Sequence, residues 1–452
     1  MVNKNLENNE GLKYQVYKVF NEDGQLYLFD GGSASIYKID EQVVNLLNQE
    51  GKSIQVACEN VKNEMSREKF EQLLDSFKEC GFLIEGNKKT KKSSTIKGIT
   101  LMLIQACNLA CRYCFGSEGE YADRGKMTEK IALDAIDYLI KASGDEKRLY
   151  VTFFGGEPLL CFDVIKKVVA YCKEYEESTG KKFFYNMTTN GTLLNEEVNN
   201  FIIQNKIGTM ISIDGNKEQH NANRFDKAGK GSYDEVIDKT STLRNEGYLS
   251  ARATITATNI NLKSVFEHLN DEGFSGIPMA PAYNLMSEED FEKYTVELEK
   301  LCDYFEELIK QDVNKAKKIK ILWKAFKRIH RGGCQDTACG AGINGVAIDI
   351  HGNLFPCHRF VSNKEYILGN IYENSDKRSQ FISECDISQH EKCNCCYLRL
   401  LCSGGCPYEN YIETGNIRNI YERQCMECKI IYSKLIHSYL RLSDKQKENI
   451  FV

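Results

Sequence analysis

Apolar and polar residues alternate along three short stretches near the start of the chain: YQVYKVF (14–20), QLYLFD (25–30) and ASIYKID (34–40). A period of two predicts half-buried strands, and the turn signals NEDG and GGS separate them. The period then lengthens. EQVVNLLNQ, SIQVACENVKNEM and SREKFEQLLDSFKECG space their apolar residues three and four apart, which predicts three helices. Ser66, followed by Glu68 and Lys69, suits the start of the last helix, and Gly81 its stop. Three strands and then three helices predict a winged-helix-like α+β domain over residues 1–88. The lysine-rich EGNKKTKKSST (85–95) leads out of it, with 89–95 as linker.

From residue 96 the two periods interleave. Strands are predicted at GITLMLIQ, RLYVTFFG, FFYNMTTN, IGTMISID, SARATITA and GIPMAPAYN. Helical stretches such as FDVIKKVVAYCKEYEES and SYDEVIDKTSTLRNEG lie between them. Six βα units in a row predict an α/β fold with a parallel sheet and right-handed crossovers. Either a partial (β/α)6 TIM-like barrel over 96–310 or an open doubly wound sheet satisfies the pattern. A helical stretch follows over roughly 287–330, with 311–333 as a bridge. Residues 334–428 show little periodicity and cannot bury much apolar surface, so metal centres are expected to hold them together. KIIYSKLIHSYLRLSDKQ reads as a closing helix within 429–452.

Charge changes this picture little. The 452 residues carry 59 basic and 64 acidic side chains, formal net −5. No half is strongly basic and no Lys/Arg stripe interleaves with aromatics, so no nucleic-acid partner is expected. Apolar runs fall short of a membrane span. The polar start MVNKNLENNEGLKY reads as neither signal nor transit peptide, so a cytoplasmic, reducing location is expected. Cysteine changes the picture more. There are 19 Cys and only 7 scattered His. In a reducing compartment, clustered thiols read as metal ligands, and the scarcity of paired His favours all-thiolate zinc or iron–sulfur sites.

QACNLACRYCF (105–115) sets Cys107, Cys111 and Cys114 directly after the first barrel strand, where α/β folds place their sites. Three thiols with no local fourth suggest a metal centre with one open position; a buried or zinc-bound cluster is the plainer alternative. CNLACRYCF resembles the C-x3-C-x2-C signature of radical S-adenosylmethionine enzymes, with Tyr113 in the aromatic slot. The resemblance implies a [4Fe–4S] cluster whose fourth iron is chelated by S-adenosylmethionine. It further implies one-electron cleavage to a 5′-deoxyadenosyl radical that abstracts a hydrogen atom, with the electron from an external donor of flavodoxin or ferredoxin type. FFGGEP (153–158) is similar to the family's GGE motif and brings Gly155, Gly156 and Glu157, the last as acceptor for the methionine ammonium. The next strand ends offer Thr189 and Asn190, then Ser212 and Asp214 for the ribose or carboxylate. Arg252 is expected to pair with the cofactor carboxylate.

A second constellation reads Cys339-x12-Gly352-x4-Cys357, then Cys393-x2-Cys396-x5-Cys402-x3-Cys406, then Cys425. It resembles the seven-cysteine SPASM pattern, a C-terminal Cys-rich domain over 334–428. The resemblance implies two auxiliary [4Fe–4S] clusters, three clusters in all. Cys393, Cys396, Cys402 and Cys425 would hold one; Cys339, Cys357 and Cys406 the other, with Cys334 as its possible fourth ligand. Cys395 and Cys428 stand beside these ligands as alternatives, and zinc ribbons are the structural alternative. Cys58, Cys80, Cys161, Cys172 and Cys302 sit in helical patterns and read as core residues.

The N-terminal strand–helix order resembles the PqqD-like recognition element of peptide-modifying enzymes. That implies a ribosomal precursor peptide whose leader adds as an extra strand. Ile36 and Tyr37 on SASIYKID, with Phe70 and Leu74 on the last helix, are the expected contacts. The organisation as a whole resembles thioether-forming maturases, closest to those acting on SCIFF-type (ranthipeptide or sactipeptide) precursors. A sulfatase-type maturase making formylglycine is the second reading. Those enzymes typically carry Asp after the GX4C cysteine, where this chain has His358. A non-enzymatic zinc scaffold that binds peptides is the third.

Overall fold

The computed structural model describes residues 11–84, 95–121, 123–333, 339–373 and 375–451. They form two compact units. One joins the described residues of Met1–Lys92, Lys324–Ala338 and Asp386–Val452; the other joins those of Ser93–Trp323 and Cys339–Cys385.

In the first unit, β1 (Tyr17–Glu22), β2 (Gln25–Asp30) and β3 (Ser35–Ile39) form an antiparallel meander in that order. Helices α1 (Glu41–Leu47), α2 (Ile54–Asn60) and α3 (Arg67–Glu79) follow. Asp40, Ser53 and Ser66 cap them, each side chain accepting from the backbone amide three residues on. Gly81, just past α3, has φ +74°, a left-handed conformation that suits glycine. Leu28 on β2 packs with Leu46, Ala57, Phe70, Leu74 and Phe77 from the helices. This corrects one expectation. Phe70 and Leu74 are 1% and 4% exposed, so they fill the module's own core and cannot line a peptide groove. Tyr37 packs against the same core, while Ile36 pairs with Phe29 on the opposite face. Cys80, expected inside, is exposed where α3 ends. The linker at 89–95 lies outside the described residues except for residue 95.

The second unit is built on β4 (Gly98–Gln105), β5 (Gly125–Lys126), α4 (Glu129–Ala142), β6 (Arg148–Gly155), α5 (Phe162–Thr179), β7 (Lys182–Thr189) and α6 (Glu196–Gln204). It continues through β8 (Gly208–Ser212), α7 (Lys217–Asn221), α8 (Tyr233–Asn245), β9 (Leu249–Ile255), α9 (Leu262–Asp271) and β10 (Met279–Pro281). Strands β4, β6, β7, β8, β9 and β10 pair in sequence order and in parallel. A doubly wound sheet reverses its order at a switch point, so this sequential order selects the partial TIM-like barrel. Burial alternates along the strands. Leu149, Val151 and Phe153 of β6 are fully buried, on the face that takes the helices, while Tyr150, Thr152 and Phe154 take the other. The predicted sixth strand shrinks to three paired residues, Met279–Pro281, with Pro278 just before them.

The predicted long helix is broken into α10 (Glu288–Gln311), α11 (Val313–Ala316) and α12 (Lys320–His330). Asp312 is extended, with φ −149° and ψ 84°, and its side chain caps α11. The Cys-rich stretch then departs from expectation. β11 (Gly345–Ile348) adds in parallel to β4, with Gly345 opposite Gly98 and Ile348 opposite Leu101. β12 (Asn353–Phe355) and β13 (Gly369–Asn370) extend this edge antiparallel, and α13 (Lys377–Glu384) closes the segment.

The first unit resumes with α14 (Arg399–Cys402), α15 (Pro407–Thr414), α16 (Glu422–Leu440) and α17 (Asp444–Phe451). Phe20 and Phe29 meet the Tyr397 ring edge-on at 6.1 and 5.8 Å. Glu22 accepts from His437 at 2.6 Å and from Arg441 at 2.8 Å. The N-terminal module and the closing helix, expected as separate domains, thus share one unit. No helix among the described residues is long and apolar enough to cross a membrane.

Candidate functional site

Strand β4 shifts register against β6 between Met102 and Ile104, just before the cysteine loop. Such a bulge bends the strand and re-aims the residues after it. The loop then runs Cys107, Cys111, Cys114, with Cys114 N donating to Cys111 O at 3.1 Å. Two neighbours hold it. From one side the end of β6 presses in: Gly156 N donates to Ile104 O at 2.8 Å and Glu157 N to Ala106 O at 3.1 Å. From the other comes the strap after α7. Ala110 N donates to Phe225 O at 2.8 Å, Arg112 N to Asn223 O at 2.9 Å, and Leu109 bridges Asp226.

Donors are aimed at the sulfurs. Cys107 Sγ accepts from Leu109 N at 3.4 Å and from Asn190 Nδ2 at 3.7 Å. Asn190 is itself fixed by Asn108 and Thr192, at 2.9 and 2.7 Å. Cys111 Sγ faces Arg224 Nη1 at 3.7 Å. Burial pushes the Cys107 thiol up to about 12 and raises Cys111 as well, Arg224 opposing the second shift. Ligation needs thiolates, so loading this loop with metal releases protons. Sulfur atoms served by N–H donors and by a cation are what an anionic iron–sulfur group requires.

Glu157 and Asp214 organise the surroundings. Both are 0% exposed. Glu157 accepts from Thr189 Oγ1 at 2.7 Å, Asn190 N at 2.7 Å and Leu159 N at 3.1 Å. Burial still drives its carboxyl up to about 7, against the pull of these bonds. A carboxylate has about four acceptor positions, so about one is left for an incoming ammonium. Asp214 accepts from Thr254 N at 2.9 Å, from Arg224 Nε at 3.1 Å and from the Tyr113 hydroxyl. Asp214, expected to meet the ribose or carboxylate, also holds Tyr113 and Arg224. Gly155 and Gly156 make room for backbone. The backbone they admit is that of the cysteine loop, since a Cβ on Gly156 would lie 2.1 Å from Ala106 O.

Ser212 lies opposite Arg252 across β8 and β9. Burial lowers Arg252, as does the nearby Arg359, while Tyr113 and Asp214 favour its charge. His358 lies over Phe154 of β6 with ring centroids 4.5 Å apart and meets Phe115 at 5.9 Å. Burial takes it down to about 4, so the imidazole is neutral near pH 7. Arg224, Asn108 and Thr192 escaped the sequence reading. The signal was there in HNANRF, a single Arg in a short polar segment at the end of a helix, but only the strap geometry brings it to Cys111.

In the first unit, Cys393, Cys396, Cys402 and Cys425 influence one another's thiols electrostatically. Cys428, one turn beyond Cys425 on α16, hydrogen-bonds to Cys402 and pulls it down to about 7. Cys339 and Cys357 belong to the second unit and Cys406 to the first; Cys334 lies outside the described residues. Among the described residues no group of three His, Cys, Asp or Glu is close enough for a single metal ion. A four-iron cubane is wider than an ion and takes its thiolates farther apart.

The Radical SAM superfamily matches residues 101–271, so this stretch is a Radical SAM domain. The cysteine-type anaerobic sulfatase-maturating enzyme of Clostridium novyi (strain NT) is 25% identical over 374 residues, covering 75% of this chain and 96% of that protein. Among solved structures, "Native anSMEcpe with bound AdoMet and Cp18Cys peptide" matches with a TM-score of 0.65 at 21% identity, covering 78% of this chain and 99% of that one. Streptococcus suis SuiB bound to S-adenosylmethionine matches with a TM-score of 0.51 at 16% identity, covering 92% of this chain and 98% of that one. At these identities the two structures show the fold.

Proposed function

We propose that this chain is a radical S-adenosylmethionine enzyme that joins a Cys sulfur to a carbon of another residue in a ribosomally made, Cys-rich precursor peptide. One observation carries the reading: three cysteines share the loop at the C-terminal end of β4, with protein donors aimed at two of their sulfurs. When bound, a [4Fe–4S] cluster and S-adenosylmethionine supply there a carbon-centred radical that takes one hydrogen atom. The chain's own residues do the rest. Cys107, Cys111 and Cys114 are the ligands. Glu157 offers its last acceptor position to the cofactor's ammonium, and Arg252 with Ser212 receives the carboxylate. Phe115, Phe154 and His358 present aromatic surface that keeps water from the reacting atoms.

Closing a C–S bond removes two hydrogens from the peptide, one as an atom and one as the thiol proton, and one electron must leave. An external one-electron donor of flavodoxin or ferredoxin type starts the cycle. Two auxiliary clusters are proposed from the SPASM-like spacing; the mutual influence of Cys393, Cys396, Cys402 and Cys425 supports the one they would hold. A peptide substrate is supported by the likeness to anSMEcpe, whose solved form holds one. A cytoplasmic setting fits oxygen-sensitive clusters.

The leader of that peptide is proposed to add along β3, through main-chain bonds rather than through Phe70 and Leu74. Added leader peptide is expected to slow amide hydrogen exchange at residues 35–39 by about tenfold or more. Unchanged exchange there, with binding shown separately, rejects this docking site.

The similarity to a sulfatase-maturating enzyme favours a second reading, oxidation of a Cys to formylglycine. One experiment separates the two. The reconstituted chain is incubated without oxygen with reductant, S-adenosylmethionine and Cys-rich peptides encoded nearby. A product lighter by two hydrogens, with fragmentation blocked between the linked residues, supports the thioether. A product that has lost its sulfur establishes the second reading instead.

A further inference from the structure

Arg224 is the cation the first site was not expected to have. It reaches the cysteine loop on the strap after α7, which is bonded to that loop at both Ala110 and Arg112. Its side chain is 8% exposed. Nε donates to Asp214 Oδ2 at 3.1 Å, Nη1 points at Cys111 Sγ at 3.7 Å, and the guanidinium carbon lies 5.1 Å from the centre of the Tyr113 ring. Asp214 is locked in turn by Thr254 N and the Tyr113 hydroxyl. Four constraints therefore fix one guanidinium against one ligand sulfur.

A permanent positive charge in that place favours whichever state of a bound cluster carries more negative charge. One-electron reduction adds one negative charge. Hydrogen bonds to the sulfurs and local charge are among the factors that set cluster potentials, and a buried charge is weakly screened by solvent. Asp214 offsets part of the field at longer range, yet the guanidinium's Nη1 edge is the part that faces sulfur.

We infer that Arg224 is a positioning residue that sets the reduction potential of the cluster held by Cys107, Cys111 and Cys114, acting through the Cys111 sulfur. The inference rests on the proposed function only for the identity of that cluster. In it, the external donor gives up one electron and the cluster gains it; Arg224 changes neither ligand count nor stoichiometry.

The test uses the full chain, reconstituted without oxygen, and a redox titration followed by electron paramagnetic resonance. The signal that changes on adding S-adenosylmethionine marks the first cluster. Arg224→Gln keeps N–H donors and loses the charge; Arg224→Lys keeps the charge. At a fixed potential the Gln variant is expected to show about a tenfold lower ratio of reduced to oxidised cluster, a shift of about 59 mV for one electron. The Lys variant is expected to stay within about twofold of the unsubstituted chain, since it retains the charge that matters. Equal midpoints for the Gln variant and the unsubstituted chain overturn the inference, as do Gln and Lys variants displaced alike. Absence of any S-adenosylmethionine-responsive signal in the unsubstituted chain overturns the cluster assignment, and this inference with it.

Discussion

Cys111→Ala is expected to abolish 5′-deoxyadenosine formation while leaving the iron bound elsewhere in the chain. Cys111 has no understudy. Its neighbours Cys107 and Cys114 are held by separate contacts, the first by Leu109 N and Asn190, the second by a turn bond to Cys111 O. Removing the thiol leaves two ligands for a group that needs three and strips Arg224 of the sulfur it faces. Loss of an outer-shell partner typically costs 10–100-fold in affinity or activity; loss of a ligand is expected to exceed about a hundredfold. Iron should fall by about four atoms per chain, read by colorimetric assay, with cleavage followed by chromatography. Cys393, Cys396, Cys402 and Cys425 lie in the other unit, so iron they hold should persist. Cleavage that survives in this variant defeats the assignment of the loop.

The strands of the barrel were legible because one face of each packs against helices. Leu101 and Leu103, or Val151 and Phe153, repeat at the period that pleated strands impose, and the structure begins β4 and β6 where that pattern begins. The cysteine loop was legible because thiols crowded as closely as Cys107, Cys111 and Cys114 suit a metal centre far better than they suit packing. What escaped depends on contacts between distant segments. Nothing near Gly345 announces that GVAI will pair with Gly98–Leu101; a four-residue apolar run carries no direction. Phe70 and Leu74 show the opposite error. Their spacing marks one face of a helix, but spacing alone does not say whether that face meets the protein's core or a partner. The places of Glu157 and Asp214, just past the ends of β6 and β8, are legible in the alternation of the strands before them. Their hydrogen bonds, which turn inward, could be seen only in three dimensions.

Gly156→Ala tests whether the end of β6 shapes the cysteine loop. The added methyl would sit 2.1 Å from Ala106 O, 2.4 Å from Ala106 C and 3.0 Å from Cys107 N. All three are backbone atoms, so no side chain can swing aside. Nor can the loop retreat freely, because Gly156 N and Glu157 N bond to Ile104 O and Ala106 O across the same gap. Overpacking of this kind costs about 1–3 kcal/mol, and more where the neighbour is rigid. The variant is expected to melt several degrees lower, by roughly 2–4 °C per kcal/mol for a unit of this size. The larger effect is local: Cys107 N moves, so the first cluster should be lost or should lose its response to S-adenosylmethionine. Gly180→Ala is the control. Unlike Gly156, Gly180 has a glycine-favouring conformation, φ +66°, but nothing lies within 4 Å of its Cβ position. It is expected to cost about 1 kcal/mol and leave cofactor cleavage intact. If Gly156→Ala melts and cleaves like the unsubstituted chain, then the contact between β6 and the loop does not position the ligands. The three thiols would have to owe their arrangement to the strap after α7 alone.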